Sequence, residues 1–144
     1  MSNEQSPAFA AELSVVLTDD DGMLRQLIRL LLEVAPGYLV VGEASDAEQC
    51  VTVVGALQPD VVLLDLGLPG VNGLDAIPLI RAASPASLVI VLSGHGKDRM
   101  AAQAAERGAD GYLEKGNLVT DLIPTLTTAV AAGRAGRQHP PAFR

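Results

Sequence analysis

The sequence predicts an α/β domain built as a (βα)5 series: a doubly wound, five-stranded parallel sheet with helices on both faces. Three observations carry that expectation. Short apolar runs of strand length alternate five times with segments of helical period. The central run, Val61-Val62-Leu63-Leu64, is continuously apolar, as suits a strand buried on both faces. Finally, Asp19-Asp20-Asp21, Asp65, Ser93 and Lys115 each stand directly after, or at the end of, such a run. An open parallel sheet gathers its ligand-binding residues along that edge.

Each element follows in order. Val15-Val16-Leu17 is a short strand that ends in acid. From Met23 to Val34 the period changes, with Leu24, Leu27, Ile28 and Leu31 on one helical face and Arg25, Gln26, Arg29 and Glu33 on others. Pro36-Gly37 stops that helix, and Tyr38 to Val41 is the second strand. Ser45 or Asp46 caps a second helix running to about Gln58, with Pro59 as its stop. Asp65 closes the third strand, and Leu66 to Gly73, with three Gly and a Pro, is a loop. A third helix covers about Leu74 to Ala83, and Leu88 to Leu92 is the fourth strand. Ser93-Gly94-His95-Gly96 is its loop, and helix four runs from Lys97 to Arg107 with Gly108 as the stop. Tyr112-Leu113 is a short fifth strand, and helix five covers roughly Val119 to Ala132.

Two prolines strain the pattern, because each removes a helical hydrogen bond. Pro78 predicts a bend in helix three. Pro124 fits if helix five starts late, with Thr120 as its N-cap. Residues 1–11 and 133–144 are expected to be flexible, the latter carrying three Arg and Pro140-Pro141, leaving one domain over 12–132.

Composition bounds the function. The 144 residues are 49% hydrophobic with no Trp, two Tyr and two Phe, so the core is aliphatic. The net charge of −7, from 10 Lys+Arg against 17 Asp+Glu, argues against direct nucleic-acid binding, which depends on a basic surface. The longest apolar run falls far short of the ~20 residues of a membrane span. The N-terminus has neither the basic stretch nor the apolar stretch of a signal peptide. Cys50 cannot form an internal disulfide, lacks partners for a zinc cluster, and falls in the helix-two pattern as a small apolar residue. These features predict a soluble, cytoplasmic protein with no membrane contact.

The strand-end residues supply the chemistry. Adjacent carboxylates at Asp19-Asp20-Asp21 repel, and a hard cation such as Mg2+ relieves that repulsion through oxygen ligands. Asp65, ending a buried strand, needs a positive partner; Lys115, at another strand end, is the obvious one. Ser93-Gly94 offers a hydroxyl and a backbone N–H. Taken singly, the acid run also reads as a turn or cap, Asp65 and Lys115 as a plain ion pair, and Ser93 as a turn residue. His95, flanked by glycines, reads as solvated, and Tyr112 as a partly packed aromatic. Taken together, the strand-end groups are equipment for placing a phosphoryl group on a carboxylate.

Over roughly residues 13–132 the chain resembles the receiver (CheY-like, flavodoxin-like fold) domain of two-component response regulators. The resemblance rests on Val15–Asp21 (VVLTDDD), Asp60–Gly73 (DVVLLDLGLPGVNG), Val89–Gly94 (VIVLSG) and Ala109–Lys115 (ADGYLEK). The intervals fit as well: 45 residues from Asp20 to Asp65, 28 on to Ser93 and 22 on to Lys115. It implies that Asp65 is the phosphoacceptor for a phosphohistidine on a histidine kinase or histidine phosphotransfer protein. Asp19 and Asp20 would hold Mg2+ together with Asp65 and the Gly67 backbone carbonyl. Lys115 would bridge Asp65 and the phosphoryl oxygens, Ser93 would bond the phosphoryl group, and Tyr112 would switch rotamer with it. Output would be a shift of the α4–β5–α5 face, read by a downstream protein or by an output domain joined through the tail. The segment departs from the family at Gly116, where many receivers have proline, which leaves the isomer of that bond open. Gly67 and His95 occupy positions that tune phosphate lifetime in the family.

Two other readings compete. Asp19-x-Asp21 resembles the first motif of haloacid-dehalogenase-type phosphatases, with Asp19 as nucleophile and Asp21 as acid/base. That reading lacks a downstream acidic metal motif and leaves Asp65-Leu-Gly-Leu-Pro-Gly unexplained. The other is an interaction module that never uses phosphate, although every side chain phosphate chemistry needs is present.

Overall fold

The computed structural model describes residues 12–68, 72–94 and 97–138, leaving aside the side chains of 97–99 and 134–138. Residues 1–11, 69–71, 95–96 and 139–144, His95 among them, lie outside the described residues. In order come β1 (Leu13–Thr18), α1 (Gly22–Glu33), β2 (Tyr38–Ala44), α2 (Ala47–Leu57), β3 (Val61–Asp65), α3 (Gly73–Ala83), β4 (Leu88–Ser93), α4 (Lys97–Glu106) and β5 (Gly111–Glu114). A 3-10 turn (Lys115–Asn117) then leads into α5 (Leu118–Gln138). The strands form one parallel sheet in the order β2-β1-β3-β4-β5. The expected (βα)5 doubly wound fold is what the chain adopts.

Alternation along the strands divides the core in two. Val15, Leu17, Val61, Leu63, Ile90 and Leu92 face Ile28 and Leu32 of α1 and Leu118, Leu122 and Leu126 of α5. Val16, Val62, Leu64, Val89 and Val91 face Cys50, Val54, Ile77, Ile80 and Ala104 of α2, α3 and α4. Each such side chain contributes about 1.5–3 kcal/mol when fully buried. With both faces covered, β3 is buried at all five positions, Asp65 included. Cys50 is one of the buried apolar contacts, and burial pushes its thiol pKa up, so it stays protonated.

The local sequence explains the helix ends. Asp21 caps α1 by accepting from the Met23 and Leu24 N–H groups. Of the two candidates for the second cap, Asp46 is the one used: it accepts from Gln49 N–H, while Gln49 Oε1 accepts from Ser45. Gly108, at φ 106, ends α4 in the left-handed region that favours glycine.

Several details differ from expectation. The buried face of α1 is centred on Ile28 and Leu32, so Leu27 is partly exposed beside the exposed Met23, Leu30 and Val34. Helix α5 does not start late. The 3-10 turn passes directly into it, and Thr120 lies in its first turn, donating its hydroxyl to the Asn117 carbonyl. Pro124 is therefore interior. Residues 133–138 of the expected flexible tail are helical, and Gly133 lies so close to Leu88 that a Cβ there would be 2.8 Å from Cδ2. Pro78 lies inside α3, on its exposed side. The Lys115–Gly116 bond is trans.

Two anchors hold the site's supports in place. Arg81 Nη1 donates to the Ser87 carbonyl and to Asp110 Oδ2, each at 2.9 Å, and the same carboxylate oxygen accepts from Val89 N–H. This ties α3 to the N-terminal ends of β4 and β5. On the other side of Asp65, Asn72 caps α3 through Leu74 N–H, and Gly73 lies directly on the Leu66 backbone. A Cβ at residue 73 would stand 2.4 Å from Leu66 Cα, so only glycine lets α3 close this far. Gly73→Ala should therefore lower the free energy of urea unfolding by about 1–3 kcal/mol. An unchanged midpoint and slope would contradict the close approach.

Candidate functional site

The sheet brings the strand-end residues together at one edge. Asp19 follows β1, Asp65 ends β3, Ser93 ends β4 and Lys115 follows β5. Asp19, Asp65 and Ser93 are buried, at 1%, 2% and 5% exposure, whereas Asp20 and Asp21 are exposed. Lys115 Nζ lies 3.0 Å from Asp19 Oδ2 and 3.0 Å from Asp65 Oδ1. Backbone donors fix the other contacts: Asp19 Oδ1 accepts from Asp21 N–H and Asp65 Oδ1 from Gly67 N–H, both at 2.9 Å. Gly67 thus touches the Asp65 carboxylate through its N–H.

One ammonium serves two buried carboxylates, and the pKa values of Asp19 and Lys115 reflect this. Burial pushes the Asp19 pKa above its ordinary value, and Asp65 nearby pushes the same way, against the Asp21 N–H and Lys115. For Lys115, burial pulls the pKa down, but hydrogen bonds and charge from Asp19 and Asp65 outweigh it and leave the pKa raised. Lys115 is therefore a fixed cation and Asp19 the strained member of the set.

The site has room for a further cation. One carboxylate oxygen from each of Asp19, Asp20 and Asp65 falls within 4.8 Å of the others. Asp19 Oδ2 is buried, with the Lys115 ammonium at 3.0 Å as its ion-pair partner. Hard, anionic, all-oxygen donors with one side toward solvent are the set that Mg2+ takes, retaining several waters. The residues fit the ion the sequence implies.

The remaining candidates are arranged around this core. Ser93 is paired in register with Glu114, and Tyr112 with Val91. Tyr112 packs on the α2–α3–α4 side of the sheet, where its hydroxyl is buried without a hydrogen-bond partner among the described residues. Asp21, the acid/base of the phosphatase reading, has its carboxylate engaged as the α1 cap.

Sequence reasoning passed over Arg25 and Glu43. Arg25, off the apolar face of α1, donates from Nη1 to the Asp19 carbonyl and from Nε to Glu43 Oε1 at 2.8 Å. Arg29 pairs with the other oxygen of Glu43. The available signal was an acid interrupting the apolar β2 run, with two arginines one helical turn apart on α1.

Comparison with known proteins converges on one family. The model of the response regulator receiver domain matches residues 15–127. Among curated proteins, the nitrate/nitrite response regulator protein NarL of Escherichia coli K12 is 40% identical over 91% of this chain and 58% of its own length. The response regulator UvrY of E. coli O6:H1 is 34% identical over 85% of this chain and 56% of its own. The chain thus spans a little over half the length of these relatives. A LuxR-family two-component response regulator from Aurantimonas sp. superposes with TM-score 0.79 at 33% identity, covering 84% of this chain and 86% of that one. A response regulator from Burkholderia pseudomallei, solved with a phosphorylated aspartic acid and a calcium ion, superposes with TM-score 0.73 at 26% identity, covering 88% and 73%.

The raised Asp19 pKa has a testable sign. A carboxylate whose folded pKa exceeds its unfolded value holds an extra proton in the native state between the two values, so its contribution to stability falls as pH rises through that window. In EDTA, wild type should therefore lose ground to Asp19→Asn in urea-unfolding free energy as pH rises from about 4, the unfolded-state value, through the higher folded-state value. A pH-independent difference between the two would contradict the assignment.

Proposed function

The chain belongs to the response regulator receiver family, and from that premise we propose that Asp65 accepts a phosphoryl group from a phosphohistidine on a histidine kinase or phosphotransfer protein. The observation that carries this reading is a buried strand-end carboxylate held by Lys115 and lying within ligand distance of Asp19 and Asp20. The aspartyl phosphate in the Burkholderia relative supports it.

In the proposed step, an Asp65 carboxylate oxygen attacks phosphorus as the P–N bond to the donor imidazole breaks. The imidazole leaves with the bonding pair and takes up a proton. Phosphoryl transfer asks the protein mainly for in-line positioning and neutralisation of charge on the phosphoryl oxygens. Lys115 supplies a fixed positive charge beside the nucleophile, and the Gly67 N–H orients the attacking carboxylate. Asp19, Asp20, Asp65 and the Gly67 carbonyl would hold Mg2+, which when bound contributes further neutralisation of the phosphoryl oxygens. Ser93 would donate its hydroxyl to the phosphoryl group. The space Ser93 vacates would let Tyr112, whose hydroxyl has no partner among the described residues, change position. New contacts to phosphate would then shift the population of two arrangements of α4, β5 and α5. The family is not one of conventional enzymes, so the product is the phosphorylated protein itself. A downstream protein, or an output domain joined beyond α5, would read it.

Incubation with acetyl phosphate and Mg2+, followed by intact mass measurement, should show uptake of one phosphoryl group. Asp65→Asn or excess EDTA should each abolish the uptake. A folded wild type that takes up no phosphoryl group from either acetyl phosphate or a phosphorylated histidine donor would overturn the proposal.

A further inference from the structure

Building on the Mg2+ site proposed above, we infer that Arg25 is a positioning residue for that cation: braced by Glu43, it fixes the Asp19–Asp20 peptide so that both carboxylates face Asp65. The Asp19 backbone is fastened to β2 on both sides. Its N–H donates to the Ala44 carbonyl at 3.1 Å, and its carbonyl accepts from Arg25, whose Nε is held by Glu43 one residue earlier on β2. Asp20 is exposed, so the placement of its carboxylate is inherited from this peptide.

Charge alone does not account for a guanidinium in this place. A cation beside a cation site opposes metal binding, and Glu43 is shared between two arginines. What Arg25 adds is geometry: its planar fork reaches Glu43 and the Asp19 carbonyl together, which a single ammonium does not. Arg29 separates this role from simple strapping of α1 to β2. It makes the same kind of pair with Glu43 and has no bond to Asp19 among its contacts.

The test is calorimetric titration of the EDTA-treated, dialysed full chain with MgCl2 at constant ionic strength, with Tm measured in EDTA alongside. Arg25→Lys keeps the charge and loses the fork. Arg25→Lys and Arg25→Gln should each weaken Mg2+ binding about ten-fold, while Arg29→Gln stays within about two-fold of wild type at a comparable loss of Tm. Glu43→Gln, which releases the brace without touching Arg25, should move affinity in the same direction as Arg25→Lys and keeps the test open if Arg25→Gln fails to fold. Arg25 variants that bind Mg2+ as tightly as wild type or more so would overturn the inference, as would an Arg29→Gln variant weakened equally. A wild type that binds no Mg2+ would overturn the metal reading itself, and this inference with it.

Discussion

A shortage of positive charge organises this domain. Asp19 and Asp65 are buried at adjacent strand ends, and the Lys115 ammonium lies 3.0 Å from each. Two desolvated carboxylates around one cation would be costly without further hydrogen bonds, since burial of an unpaired charge is among the most expensive things a fold can do. The Asp21 and Gly67 N–H groups supply part of the remainder. What is still unsatisfied, including Asp19 Oδ2, lies toward the open edge of the sheet. The site is stable enough to fold around and too acidic to be content. In the proposed function, that imbalance would favour uptake of a divalent cation and then of a phosphoryl group.

The parallel sheet makes the imbalance possible. Covered on both faces, β3 holds an aspartate at 2% exposure at the end of an aliphatic run. Its neighbours β1 and β4 deliver Asp19 and Ser93 to the same height because their registers run parallel from Val15 and Leu88 onward. The start of α3 lies close against the end of β3 because Gly73 sits on the Leu66 backbone, where any side chain would collide. Packing thus sets the positions to which the electrostatics then respond.

Much of this was legible in the sequence. The strand count, the order of elements and the convergence of Asp19, Asp20, Asp65, Ser93 and Lys115 follow from where apolar runs stop and polar residues begin. Features that depend on pairing between distant segments were not legible. Arg25 looked like a surface residue because its partner, Glu43, is brought beside it only by the β1–β2 register, which shifts between Val15 and Val16. Leu27 looked like core because a period of 3.6 fixes the width of an apolar stripe better than its centre. The start of α5 was misplaced because the 3-10 turn after Lys115 has no sequence signature, and Pro124 suggested a later boundary. The close approach at Gly73 is a backbone contact that no periodicity encodes.

The Arg81 anchor has a mechanical consequence. It fixes α3, the Ser87 carbonyl and Asp110, and through Asp110 the Val89 N–H, all at the end of β4 and β5 remote from Asp65. A strand pair clamped at one end and loaded at the other behaves as a cantilever. Displacement imposed at Ser93 grows toward the tip, and little of it reaches the root. In the proposed switch the α3–β4 turn would be the stationary reference, and displacement would fall on the short span that carries Ser93 and Tyr112. A binding partner sensitive to that lever gains most by gripping both the root and the tip, because relative movement is what the clamp preserves.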